Sequence, residues 1–467
     1  MNSKYKYLIK NTGILTISNF SSKILVFLLV PLYTYYLSTE EYGNYDLIIS
    51  TIQLLVPVLS LNIVDGVMRF SMSKDIDRNQ VISIGIRYLI VAEFGVVIII
   101  VCNYVTGLWN GLSGFELLTF FYFSFYMLNQ FAIQLAKGFE QVKDMAIAGV
   151  IGTFSLLAAN VIALSFLDSG IRGFFIANII GQAIPVLFLF YRMRIWRYVH
   201  LSIDKNLNRE MISYSFPLLF STFGWWVNSA SDKYVVAIMC GVASNGLISV
   251  AYKIPSIINT LQSIFVQAWQ ISAIKEYETD GSEKFYKEAF VYLNTLICIG
   301  ASFVLLFNKI ISGILFSKEF YKAWELVPFL VLSSVFNSSA GFLGPILSAK
   351  KDSISMAKSA VYGALTNIVL NILLVFLMGV KGATIATAMA SLVIYYIRRR
   401  ATKNIIISSR YKFVMASWMI LVIQAIISSF SGFRYIEVLS CVCMVSIVTI
   451  FNKEILSIFK IIKARRI

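Results

Sequence analysis

Asp232 and Lys233 stand side by side in WWVNSASDKYVVAIMCG, Trp225 to Gly241, an apolar run long enough to cross a bilayer. A charged side chain at the bilayer centre costs about 2.5–3.5 kcal/mol on insertion scales, so such residues face a cavity, a partner or a transported ion. Lys23, Lys253, Arg87, Asp46 and Glu93 fall within other apolar runs and raise the same question. Ammonium groups suit phosphate through charge-assisted hydrogen bonds. A carboxylate in such a place suits a proton, a cation or a lysine partner, and Glu93, deep in its run, fits a proton or cation role. Arg87 lies close enough to the inner end of its run to snorkel, and Asp65 with Arg69 has the i,i+4 spacing of an ion pair.

The polar residues around these charges keep helical spacing. Ser249, Lys253, Ser256, Thr260, Ser263, Gln267 and Gln270 recur every three or four residues and therefore share one helix face. Asp46, Ser50, Gln53, Pro57 and Ser60 repeat the pattern in an earlier segment, Ser221, Trp225, Asn228 and Asp232 in another, and Thr12, Thr16, Asn19 and Lys23 in the first. Small polar residues alone would serve as glue between membrane helices. A stripe holding Lys and Gln points instead to a hydrated cavity, with Asp232 facing it and Lys233, about 100° round the helix, at its edge. Pro31, Pro57, Pro217, Pro255 and Pro345 lie in or near these segments, where a helix can kink without exposing backbone to lipid.

The elements that hold these residues are membrane helices. The 467-residue chain is 58% hydrophobic and only 14% charged, far from the ~25% charge of soluble domains. About fourteen apolar segments of span length predict an all-α integral membrane protein. The basic start MNSKYKYLIKN leads into a long apolar segment without an A-x-A-like site, which reads as an uncleaved first helix. Most Lys and Arg fall in the loops on one side, so the positive-inside rule places both termini in the cytoplasm. That topology accounts for the net charge of +16 and removes the case for nucleic acid. Cys102, Cys240, Cys298, Cys441 and Cys443 are odd in number and sit in or beside apolar runs, unlike a disulfide framework. With His200 the only histidine and no G-x-x-x-x-G-K-[ST] motif, metal-site, triad and ATPase chemistry lack their parts. The expectation is a non-enzyme without metal or cofactor.

An internal repeat organises the segments. GIRGFFIA at Gly170 recurs as GVKGATIA at Gly379, 209 residues on, and the same offset sets NFSSK in the first segment on NSASD in the seventh. Asn19 then matches Asn228, and Lys23 falls on Asp232. Six segments separate the copies, so both run in the same direction, a parallel repeat of the kind that places substrate between two halves. The expected domains are an N-terminal lobe of six helices (1–200), a C-terminal lobe of six (201–400) and two extra helices (401–467).

LSTEEYGNYDL, FPLLFSTFGWWVNSASDKYVV, NGLISVAYKI, ILFSKEFYKAWELVPFL and GVKGATIATAMASLV, in this order along nearly the whole chain, resemble the O-antigen and capsule repeat-unit flippases, the polysaccharide branch of the multidrug/oligosaccharidyl-lipid/polysaccharide exporter superfamily. The resemblance implies a two-lobed bundle in the cytoplasmic membrane that moves an undecaprenyl-pyrophosphate-linked oligosaccharide from the inner to the outer leaflet. It also implies membrane lipid, a polymerase and chain-length proteins as partners, and marks Asp232, Lys233 and Lys253 for function. One departure is Ile248, where the family usually has Tyr after NG. The site expected from these readings comprises Lys23 and Lys253 for phosphate, with Lys233 and Arg87 beside them. Asn19, Gln53, Asn228, Gln267 and Gln270 are assigned to sugar hydroxyls, and Asp232, Asp46 and Glu93 to coupling. The rivals are a Lipid II flippase, a drug or cation antiporter of the same superfamily and, more remotely, a membrane glycan polymerase or ligase, which would be expected to carry a long outer loop.

The charge bias predicts that a cysteine placed at His200 reacts with a membrane-impermeant thiol reagent only after the cytoplasmic face is opened. Labelling of intact cells at this position would break the topology.

Overall fold

In the computed structural model the described residues are 23–73, 75–200, 203–276, 282–406, 410–429 and 435–456, and among them every regular element is a helix. Hydrocarbon offers no water to backbone N–H and C=O groups, so a span must close its hydrogen bonds within itself, and a helix does so. The chain divides into two compact units, Met1–Ala230 and Ser231–Ile467. The first contains α1 (Lys23–Tyr36), α2 (Thr39–Leu59), α3 (Ile63–Ser71), α4 (Arg78–Thr106), α5 (Glu116–Gly138), α6 (Val142–Val161), α7 (Gly170–Met193) and most of α8 (Lys205–Cys240). The second takes the end of α8 and continues with α9 (Val242–Ala251), α10 (Lys253–Glu276), α11 (Ser282–Leu306), α12 (Asn308–Leu315) and α13 (Val327–Ala349). It closes with α14 (Ser353–Met378), α15 (Val380–Ala401), α16 (Tyr411–Ser429) and α17 (Ile436–Ile450).

Each apolar segment of the sequence meets a helix, the first from Lys23 onward. Among the described residues, eight helices are long and apolar enough to cross a membrane, or nine if α2 and α3, bent by 60°, form one span. The polar residues of α8 and α10 dilute their hydropathy, and α17 has 15 residues, so fourteen spans stay an expectation from sequence.

Local chemistry sets the helix ends. Ser38 caps α2 in a capping box: its hydroxyl accepts the Glu41 N–H, and the Glu41 carboxylate accepts the Ser38 N–H at 2.8 Å. Asp77 and Asp352 cap α4 and α14 through their carboxylates, accepting the Asn79 and Ser355 N–H groups. The bend between α2 and α3 follows Pro57, with Leu61 and Asn62 both at positive φ and the Asn62 N–H bonded to the Pro57 carbonyl at 2.7 Å. A second break, at Tyr252, separates α9 from α10. There Pro255 has no N–H to give the Ala251 carbonyl.

The two units pack around different centres. In the first, α7 lies against α5 and α6, with Tyr33, Tyr42, Tyr45 and Phe174 gathered into one ring cluster. In the second, α13 is the core helix, 89% buried over its apolar window. Trp269 of α10 stacks on Phe342 of α13 at 4.3 Å and donates its indole N–H to the Phe342 carbonyl at 2.9 Å. Gln424 of α16 accepts the Ser302 hydroxyl of α11 and donates to the Ser440 hydroxyl of α17, each at 2.7 Å. This buried amide ties the last two helices to the unit.

The glycines of the repeat have matched conformations. Gly170 and Gly379 open α7 and α15 at φ +53° and +62°, a left-handed geometry that other residues adopt only with strain. Three residues later, Gly173 and Gly382 each sit where a Cβ would strike the preceding helix or turn. At Gly382 the obstacle is the Leu374 backbone. Gly382→Ala should therefore cost about 1–3 kcal/mol of stability, read as a lower melting temperature in detergent. Gly300→Ala, where no atom lies within 4 Å of the added carbon, should leave melting unchanged; equal melting of both variants would remove the packing role of Gly382.

Candidate functional site

Asp232 is 3% exposed in the C-terminal unit. Its Oδ1 accepts the Lys233 backbone N–H at 3.0 Å, and its Oδ2 accepts the Tyr252 hydroxyl. Tyr252 stands at the break before α10. This residue ends α9 through an N–H bond to Ile248 and accepts the Ser256 N–H in turn, so its side chain leaves the turn between two helices. Its hydroxyl also lies 3.5 Å from Oγ1 of Thr387 on α15.

The next polar group begins one residue before Asp232. Ser231 donates to Oδ1 of Asn367 on α14 at 3.0 Å, and Asn371, one turn further on, donates to the same oxygen at 3.0 Å. Asn367 and Asn371 are 3% and 0% exposed, and Oδ1 of Asn371 has no hydrogen-bond partner among the described residues. The end of α8, the α9–α10 turn, α14 and α15 thus bring a carboxylate, two amides and three hydroxyls into the interior of one unit. Such a group can hold a proton or a monovalent cation on Asp232 without exposing charge to lipid.

The other expected residues are more scattered. Lys233 and Lys253 are half-buried, and Lys253 follows Tyr252 directly. Gln267 and Gln270 are exposed, as are Asn228, Gln53, Arg87 and Lys23. Asn19 lies outside the described residues. Asp46 is half-buried on α2, where the Ser50 carbonyl accepts the Trp226 indole N–H at 2.7 Å. Glu93, also half-buried, accepts the Ser124 hydroxyl of α5 at 2.8 Å. Glu93 and Asp46 lie in the first unit, and Asp232 in the second.

One expectation changes. Asp65 does not pair with Arg69: it accepts Asn62 at 2.9 Å and Gln134 at 2.8 Å, while Arg69 turns to Ser73, because a half-buried carboxylate gains more from fixed amide donors than from an exposed arginine. Along α10, Ser256, Thr260 and Ser263 donate to carbonyls three or four residues back in the same region of chain. Their spacing therefore reflects helical back-bonding as well as any hydrated face. Tyr252, Thr387, Asn367 and Asn371 were not among the expected site residues. An Asn pair at i,i+4 inside an apolar helix was the signal available for the last two.

The chain was compared with known proteins. The profile of the family described as polysaccharide biosynthesis protein matches residues 8–270, more than half of the chain. A probable low-salt glycan biosynthesis flippase, Agl15 of Haloferax volcanii, is 26% identical over 188 residues; the match spans 39% of this chain and 39% of that relative's length. Among solved structures, the Lipid II flippase MurJ in an inward closed conformation matches with a TM-score of 0.70 at 13% identity, covering 95% of this chain and 99% of that one. An inward-facing multidrug resistance MATE family transporter of the MOP superfamily matches at 0.63 and 15% identity, covering 86% and 95%. At such identities the likeness is one of fold.

The Tyr252–Asp232 contact makes a stability prediction. In a cycle of Asp232→Leu, Tyr252→Phe and the double variant, the coupling should be about 1.5–3 kcal/mol, as for a hydrogen bond to a charged group. Unfolding in mixed micelles measures it; strictly additive singles would mean that the hydroxyl does not serve the carboxylate.

Proposed function

This chain belongs to the polysaccharide biosynthesis protein family, and from that premise we propose that it is a flippase. Its cargo is an undecaprenyl-pyrophosphate-linked oligosaccharide repeat unit, carried by alternating access from the inner to the outer leaflet of the cytoplasmic membrane for O-antigen or capsule assembly. The prenyl tail can stay in lipid, so the protein has to carry only the polar head. Lys23 and Lys253 take the phosphates, with Lys233 and Arg87 adding positive charge. Asn19, Gln53, Asn228, Gln267 and Gln270 are available for sugar hydroxyls. Asp232 holds the proton or cation that resets the carrier, with Asp46 and Glu93 as further coupling groups. Polymerase and chain-length proteins of the same pathway would receive the product.

The observation that carries this reading is the break at Tyr252. One turn sends the Tyr252 hydroxyl to Asp232 and starts α10 with Lys253. A change of charge on Asp232 is therefore felt by the residue next to a phosphate ligand. The membrane potential supplies direction: one charge moved through 100 mV is worth about 2.3 kcal/mol, so two phosphate charges leaving a negative interior gain roughly 4–5 kcal/mol.

Liposomes holding the purified protein and a lipid-linked oligosaccharide test the reading, with enzymatic access to the sugar at the outer face as the readout. Lys253→Met should insert normally and lose at least nine-tenths of the flipping rate, while Lys253→Arg keeps most of it. Lys23→Met combined with Asp232→Asn should stay inactive. Recovery in that double variant would make the two residues a structural ion pair, for which removing both charges is tolerated. Transport of an organic cation, with no movement of lipid-linked sugar, would favour the antiporter reading, and selective movement of Lipid II would favour that branch.

A further inference from the structure

The N-terminal unit contains a cavity of about 170 Å³ among α5, α6 and α7, lined by Asn129, Thr153, Asn178, Gln182, Gly181 and Pro185 among others. None of its lining residues is charged. Asn129 donates through Nδ2 to Oε1 of Gln182 at 2.6 Å, while its own Oδ1 is buried without a partner among the described residues. Pro185 has no N–H to return to the Gly181 carbonyl one turn back, so a second acceptor at the wall lacks its helical donor. The Thr153 hydroxyl and one N–H of the Asn178 amide donate to backbone carbonyls of their own helices, Gly149 and Phe174, each at 2.8 Å. Each keeps an oxygen as acceptor. Close approach of the helices shapes the floor: a Cβ on Gly152 would meet the Pro185 ring at 2.5 Å, and one on Gly181 would meet Leu156 at 2.9 Å.

Such a wall asks for donors without net charge. A phosphate or carboxylate would find no basic side chain at this wall to balance its charge, and a cation would find no carboxylate, in a hydrocarbon surround. The volume equals that of five or six waters at ~30 Å³ each and is below the ~300 Å³ at which drug-sized sites begin. It admits one ring. Hydroxyl groups both donate and accept, and a ring bearing several of them matches amides spaced around a backbone floor.

We infer that this cavity is a subsite for one uncharged sugar ring, whose hydroxyls donate to Asn129 Oδ1 and the Gly181 carbonyl. The assignment rests on the proposed glycan transport and adds to it a neutral recognition site in the N-terminal unit, separate from the lysines assigned to phosphate.

Binding to the full-length protein in nanodiscs tests it with two probes. One is the oligosaccharide freed by mild acid from the lipid-linked glycan of the cells that make this protein; the other is inorganic pyrophosphate. Asn129→Leu with Gln182→Met removes both partners of one hydrogen bond, so neither is stranded by the other, and Asn178→Leu provides a second variant should the first fail to fold. The expected result is oligosaccharide binding weakened about tenfold or more, with pyrophosphate binding and melting temperature unchanged. Oligosaccharide affinity within twofold of wild type in a folded variant overturns the subsite, as does a wild-type protein that binds pyrophosphate and not the sugar. Flipping by the wild type is measured in parallel: its absence overturns the transport reading, whereas the cavity stands or falls on the binding ratio.

Discussion

A polar group inside a hydrocarbon-length helix has only the partners that its own bundle brings to it. Asp232 is the sharpest case of this constraint, because a carboxylate there has more to lose than any neutral group. The constraint touches the backbone too: Tyr252, which meets Asp232, stands at the break between α9 and α10, where Pro255 leaves the Ala251 carbonyl without its donor. Gln424 obeys the same rule without charge, its amide shared between Ser302 and Ser440. Buried polar groups in this protein are thus also the points at which helices are fixed to one another.

The sequence was most legible where physics leaves few options. Long apolar segments had to be helices, and helices occupy each of them among the described residues. The resemblance to polysaccharide exporters agrees with the family match over residues 8–270. It also agrees with a fold retained at 13% identity in the Lipid II flippase, since the pattern of apolar length and glycine placement is what such a fold demands. Gly170 and Gly379 show this directly: their equivalence was readable at an offset of 209, and both adopt positive φ.

The site was less legible because spacing gives a face and not a partner. Ser256, Thr260 and Ser263 share a face whether they meet water or their own carbonyls, and the structure gives them the carbonyls. Nothing local announces that the Tyr252 hydroxyl reaches a carboxylate twenty residues earlier. Asp65 shows the converse error. Its i,i+4 arginine was visible in sequence, whereas Gln134, 69 residues away, was not.

The offset of 209 read from the sequence also sets two kinds of chemistry on one helix pattern. At the offset of 209, Asn178 and Gln182 of α7 fall on Thr387 and Ser391 of α15. In the first unit these positions are amides beside a neutral cavity. In the second, Thr387 stands by the Tyr252 hydroxyl, and Ser391 meets Ser333 at 2.9 Å. The left-handed glycine and the small residue that follows fix the helix entry in both units, so the polar positions one and two turns later are free to differ. Under the proposed cycle that freedom is useful: a carrier must hold its cargo and also release it when an ion state changes. Two units meet both demands if one presents neutral amides to sugar and the other holds the ion on the buried Asp232 carboxylate. A cavity lined only by neutral groups keeps its choice of ligand independent of the charge state of Asp232.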